Sequence, residues 1–408
     1  MGAFEKEATV RGNPRWEQLT QREERLYERE DDIRSPFARD YTRILHSSAF
    51  RRLKHKTQVF YNVDNDHICT RMEHVVHVES VSNTIAKRLG LNDELTKAIA
   101  FGHDLGHAPF GHQGETVLSA LSEKYVGETF WHERNGLRFV DSVELLEDNY
   151  RVSRNLDLTY AVRDGIISHC GEVDQNGLRP REELIDLSCF TEKNMYEPAT
   201  WEGCVVKLSD KIAYLGRDIE DAVSLGFLDD ADMKELRHMA QANDEGALNT
   251  TVIMHNMIID VCANSTPERG ICMSGRFYGQ MLQLKAFNTD RIYRNRRFGA
   301  YCRYSELVLT QLFETLNGYY SGADTWKNLF SDRKFYPTLL DAFIGWLAKY
   351  CESGSVPDAA RDPKAVLKNR KIYGKLETAK IYAQAVIDFL SGMTDRFALK
   401  VFEELITY

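Results

Sequence analysis

The chain of 408 residues contains no apolar run long enough to span a membrane. Its opening residues, MGAFEKEATVRG, hold no apolar core of the kind a secretory signal needs. Its eight cysteines (69, 170, 189, 204, 262, 272, 302 and 351) never form a CxxC pair, so the usual zinc-finger and thiol-redox spacings are excluded. Cysteines scattered through so long a chain read as reduced thiols, and the cytoplasm is the expected compartment. Proline occurs only 9 times, and there is neither a repeat period nor a low-complexity tract. Positive charge is also short. The formal net charge is −9, which speaks against a protein that coats nucleic acid.

Apolar residues make up 43% of the chain and charged residues 28%, a profile that suits a large folded core. The patterning is helical. Residues 70–90 begin with Thr70 and Glu73 in capping-box spacing, carry Val78, Val81, Ile85 and Leu89 on one face, and stop at Gly90. A second helix starts near Asn92 and ends before Pro109. Residues 171–200 read as a long loop. Residues 201–225 form a strong helix with Val205, Leu208, Ile212, Leu215, Ile219 and Ala222 as its buried stripe. Further helices follow, with breaks near 246, 270, 317–322 and 353. The expected fold class is all-α. The expected divisions are a charged N-terminal arm or helix (1–35), a helical core (36–226) and additional C-terminal helices (227–408).

The segment AFGHDLGHAPFGH (100–112) packs His103, Asp104, His107 and His112 among glycines and small apolar residues. Nine of the 12 histidines lie between positions 46 and 132. Either this is a buried polar network without chemistry, or it is half of a metal site. A divalent ion needs nitrogen and oxygen donors converging from rigid elements. Adjacent helical residues point about 100° apart, so His103 and Asp104 can share one ion lying between their directions. His74 is the best third candidate, because its helix leads directly into the one delivering His103. Asp210 is the best fourth, since aspartate inside a strong helix is a poor helix former and needs another reason to be there. Asp210, Tyr214 and Asp218 form an i, i+4, i+8 stripe; a solvated face is the plain alternative. His77 reads as a residue that packs in its helix.

The order His74 … His103-Asp104 … Asp210 resembles the HD-domain metal phosphohydrolases. RILHSSAFRRLKHKTQVF (43–60), TRMEHVVHV (70–78), HDLGHAPFGHQGE (103–115) and SDKIAYLGRDIEDA (209–222) are similar to the bacterial dGTPase-type deoxynucleoside triphosphate triphosphohydrolases. Four separated segments matching in order make the resemblance specific. It implies an HD-domain helical core and removal of the whole triphosphate from a dNTP, dGTP or several of them. It implies His74, His103, Asp104 and Asp210 as ligands of a divalent ion, Mn²⁺ or Mg²⁺ foremost. It implies His112 as the catalytic histidine and Glu115 as its carboxylate partner, which favours the charged imidazole. Arg71 matches the position that reaches the α-phosphate and Lys211 a phosphate-contacting lysine, while His107 and His132 contact phosphates or support that contact. Arg52 and Lys56 add positive charge. Tyr214 would lie against the sugar's 2′ carbon and exclude a 2′-hydroxyl, and Asp218 and Gln58 would pair with the 3′-hydroxyl.

One stretch departs from the family pattern: WHERNGLR (131–138) keeps His132 but carries Glu133 and Asn135 where Asn and Gln are common. The rival readings are another HD-type phosphohydrolase, such as a nucleotidase or phosphodiesterase, and a non-catalytic nucleotide sensor. Relatives are commonly homo-oligomers, some with an allosteric nucleotide. The run RIYRNRRFGAYCR (291–303), with five arginines and no acid, is the candidate for such a second site.

Overall fold

A computed structural model describes residues 2–24, 26, 32–61, 65, 67–148, 150–170, 175–239 and 249–407. Parts of the expected N-terminal arm (25 and 27–31), the start of the expected loop (171–174) and the break near 246 lie outside these residues. The chain forms two compact units, each assembled from separated stretches. One comprises Met1–Ile44, Gln58–Asp104 and Leu158–Gly299; the other comprises Leu45–Thr57, Leu105–Asp157 and Ala300–Tyr408. Both draw on the 36–226 segment and on residues after it.

In the first unit four helices carry the site: Arg71–Leu89, Asp93–Gly102, Tyr160–Ser168 and Trp201–Ser224. Their ends follow local chemistry. The Thr70 hydroxyl accepts from the Glu73 amide while the Glu73 carboxylate accepts from the Thr70 amide, and Gly90 closes the helix in the left-handed region. The Asn92 side chain accepts from the Glu94 and Leu95 amides, and Thr200 from that of Gly203. The expected stripe from Val205 to Ala222 is buried in one apolar cluster with Ile85, Leu89 and Ile292. Each such aliphatic side chain contributes about 1.5–3 kcal/mol on burial. Gly165 matters for the site: a Cβ there would lie 2.6 Å from Ile99, so only glycine lets the Tyr160–Ser168 helix approach the Asp93–Gly102 helix this closely.

The second unit holds the Gly111–Tyr125, His132–Arg138, Pro337–Tyr350, Ala379–Ser391 and Asp395–Ile406 helices. Leu340, Phe343, Leu347, Val386 and Leu390 are buried within it. The mostly helical class holds, with one exception. Leu145–Glu147 pairs antiparallel with Val152–Asn155 in the register Leu145↔Asn155, and Val152–Asn155 pairs parallel with Val366–Leu367. Strands this short carry too few alternations to be seen as a period of two. All eight cysteines are free thiols. No helix among the described residues is long and apolar enough to cross a membrane.

Candidate functional site

His74, in the first turn of its helix, places Nε2 2.9 Å from Asp210 Oδ1. His103 follows the last turn of the Asp93–Gly102 helix. Its Nδ1 lies 2.7 Å from the Ala100 carbonyl, so that nitrogen donates and the lone pair falls on Nε2. Nε2 is 3.6 Å from Asp104 Oδ1 and 3.9 Å from Asp210 Oδ1. Donor atoms of His74, His103 and Asp210 all lie within 4.8 Å of one another. Arg71 Nη1 reaches Asp104 Oδ2 at 3.1 Å and steadies that carboxylate from the other side. Apart from the partly buried Asp210, these residues are buried.

The electrostatics fit a cation. Burial pushes Asp210 up, but the hydrogen bond with His74 and the positive charge of that ring reverse this and hold it down at about 2. Burial lowers His74, yet its bond to Asp210 and the charges of Asp104 and Asp210 leave it raised. The decisive feature is His103. Its buried Nε2 makes no hydrogen bond among the described residues, although its lone pair faces two carboxylates. A lone pair turned toward anions is unfavourable unless a positive charge lies between them. The donor set of imidazole nitrogens and carboxylate oxygens suits Mn²⁺ and other divalent transition ions, and also Mg²⁺.

Further along the Asp210 helix, Tyr214 is half-buried and Asp218 is buried. Asp218 accepts a 2.5 Å hydrogen bond from the Tyr293 hydroxyl. Burial, opposed by that bond, pushes Asp218 up to about 7. Gln58 and Lys211 are buried in the same unit, and the Gln58 Oε1 has no hydrogen-bond partner among the described residues. Of the arginine run, Arg291 faces Asp232 and Glu235, each at 3.3 Å, and Arg294 faces Asp290 at 3.3 Å. Arg297 donates to the Leu225 and Gly226 carbonyls and lies 4.0 Å over the Phe227 ring. Each of these three cations has a partner within the protein.

The second unit gathers His107, His112 and His132. The His107 and His132 rings stack at 3.8 Å, and His112 stands 5.6 Å from His107 and 6.2 Å from His132. Glu115 stands against both His112 and His132. Its Oε2 is 2.8 Å from His132 Nδ1 and 3.9 Å from His112 Nδ1. His112 and Glu115 share a helix face three residues apart, but the His112 side chain, 69% exposed, turns outward. Of the two residues that depart from the family pattern, Glu133 lies 3.4 Å from His132 Nδ1, so two carboxylates flank that ring. Asn135 donates to the Gly106 carbonyl at 2.7 Å. Gly106 is obligatory here, because a Cβ would come within 2.0 Å of the His132 carbonyl oxygen.

The approach to His112 is an unusual turn. Phe110 and Gly111 both have positive φ, 65° and 59°, and a phenylalanine in that region is strained. Residues from far along the chain hold it there. Asp395, at the start of the Asp395–Ile406 helix, accepts from the Phe110 amide at 2.9 Å with Oδ1 and from the Thr57 amide at 2.9 Å with Oδ2. Tyr301 donates to the Phe110 carbonyl at 2.8 Å. Buried Lys56 donates to the His107 and Ser391 carbonyls. Arg52 reaches Glu144 at 2.7 Å. The positive charges expected near a substrate at Arg52 and Lys56 are thus engaged within the protein. His169, Tyr293 and Asp395 were not among the residues singled out from sequence. His169 offered one signal, a histidine closing an apolar stretch two positions before a glycine.

Residues 71–215 match the HD domain family. Curated relatives named deoxyguanosinetriphosphate triphosphohydrolase-like protein are similar over most of the chain. One from Caldanaerobacter subterraneus is 34% identical over 92% of this chain and 86% of the relative. One from Desulfatibacillum aliphaticivorans is 33% identical over 91% and 88%. A third, from Cereibacter sphaeroides, is 42% identical over 52% of this chain and 54% of the relative.

Proposed function

Because the chain belongs to the deoxyguanosinetriphosphate triphosphohydrolase-like proteins, with an HD domain, we propose that it hydrolyses deoxynucleoside triphosphates, dGTP or several of them, to the deoxynucleoside and inorganic tripolyphosphate. The observation that carries this reading is the buried His103 Nε2 facing the carboxylates of Asp104 and Asp210, beside the His74–Asp210 contact. His74, His103, Asp104 and Asp210 would hold a divalent cation, which supplies charge for a phosphoryl oxygen and lowers the pKa of a bound water.

The remaining chemistry belongs to this chain's own side chains. Arg71 and Lys211 bring positive charge to the α-phosphate. Water oxygen bonds to the α-phosphorus, the bond from phosphorus to the sugar's 5′ oxygen breaks, and His112 delivers a proton to that oxygen as it leaves. His132, with Glu115 and Glu133 against its Nδ1, and His107 stacked on it, supports that histidine and the phosphates. Asp104 and His107 stand three positions apart in the sequence, with Leu105 and Gly106 between them. Tyr214 crowds the 2′ position, and Asp218 and Gln58 pair with the 3′-hydroxyl. A site that hydrogen-bonds a hydroxyl discriminates strongly against analogues lacking it. An activator nucleotide at the 291–303 run is a separate proposal, tested by charge reversal at Arg296, which abolishes activation by a second dNTP while basal turnover remains.

The test is product analysis. The protein is incubated with each dNTP and NTP, singly and in pairs, with Mn²⁺ or Mg²⁺. Deoxynucleoside with tripolyphosphate is the expected outcome. Monophosphate with pyrophosphate would instead place the protein among other HD-type phosphohydrolases, and untouched dNTPs would leave a nucleotide sensor.

A further inference from the structure

His169 is built like His103. Each follows the last turn of its helix, Tyr160–Ser168 or Asp93–Gly102, and each has Nδ1 2.7 Å from the carbonyl three residues back, Ile166 for His169 and Ala100 for His103. A carbonyl only accepts, so both rings carry their proton on Nδ1 and their lone pair on Nε2. A backbone carbonyl on the second ring nitrogen is a common way to orient a metal-binding imidazole. The two rings lie 5.0 Å apart at 82°, and His169 is as thoroughly buried as the ligand candidates. Donor atoms of His103, Asp104 and His169 all fall within 4.8 Å of one another, as do those of His74, His103 and Asp210. The close approach of the two helices depends on Gly165, four residues before His169.

An imidazole nitrogen has one lone pair and binds one ion. The two donor groups share His103, so they belong to a single cation. We infer that His169 is a fifth ligand of that cation, which makes the donor set three imidazoles and two carboxylates. This rests on the reading that a divalent ion occupies the cluster. It has a chemical consequence: added imidazole favours transition ions, whereas Mg²⁺ prefers oxygen donors. His169 therefore tilts the site toward later transition ions such as Co²⁺ and away from Mg²⁺.

The full-length protein and its His169→Gln and His169→Ala variants are stripped with chelator and checked for native circular dichroism and melting temperature. Each is then titrated with Co²⁺, followed by visible absorption, and with Mg²⁺, followed by calorimetry. The expected result is one Co²⁺ per wild-type chain, an altered Co²⁺ spectrum in both variants, and a Co²⁺ dissociation constant raised about tenfold or more, with Mg²⁺ affinity changed far less. Variants with the wild-type Co²⁺ spectrum and affinity overturn the assignment of His169 alone. A proportional loss of Co²⁺ and Mg²⁺ affinity with an unaltered spectrum also overturns it, since a merely structural role predicts that pattern. A wild-type protein that binds neither ion overturns the cation reading itself.

Discussion

The two histidine groups are held in contrasting ways. In the first unit the rings are buried on packed helices, and His103 is aimed by a carbonyl of its own helix. Its environment is set by residues with short local scaffolding: caps, a capping box and an apolar stripe. In the second unit His112 is exposed, and the strained turn before it is held by Asp395, Tyr301 and Lys56, contacts that span up to 285 residues of sequence. A cation site gains from rigid convergence of several donors. A proton donor needs an accessible ring whose position is fixed from behind. The difference suggests that metal binding and proton transfer respond to separate sets of substitutions.

The sharpest way to break that comparison is His112→Gln. Turnover is expected to fall by about 10²–10⁴-fold, the usual contribution of a general acid, while cation affinity by titration stays at the wild-type value. A parallel loss of cation binding would merge the two groups into one. Asp395→Ala is expected to act next most strongly. It strips two backbone amides of their acceptor at a cost of about 1–3 kcal/mol for each buried amide left unpaired, and it releases the Phe110 turn. Denaturant unfolding should show the lost stability, and kcat should fall about tenfold or more, since small misplacements of catalytic groups are costly. Cation affinity should again hold. Asp395→Asn keeps one side-chain acceptor and should lie between.

The smallest effect concerns Asp218. Its folded pKa of about 7 lies above the ordinary carboxylate value, chiefly through burial. The folded state therefore retains a proton that the unfolded chain has lost. The stability this group contributes is complete below about pH 4 and disappears as the pH rises toward 7. Asp218→Asn cannot titrate, so its stability should fall less than that of the wild type between pH 5 and 7.5, as measured by urea unfolding at each pH.

Much of the first unit is legible in the amino-acid order. The helices at Arg71–Leu89 and Trp201–Ser224 end within a residue of their expected bounds, because Thr70, Gly90 and Thr200 are local stop and start signals. The closeness of His74, His103 and Asp210 follows from those helices packing on their apolar faces. What stayed hidden depends on distant partners. Tyr293 meets Asp218 from 75 residues away, and Asp395 meets Phe110 from 285. His169 lies outside the dense histidine region, and only the packing allowed by Gly165 brings its helix beside that of His103. The second, closer contact of Glu115 with His132 was equally invisible, since helical spacing points only to His112 on the same face.

The central claim is that the buried group in the first unit is a cation site, and anomalous diffraction from crystals soaked in Mn²⁺ tests it most directly. One anomalous peak is expected, bonded to His74, His103, Asp104 and Asp210, and absent in Asp210→Ala. Crystals with no peak there, or with manganese only on surface carboxylates, would contradict it.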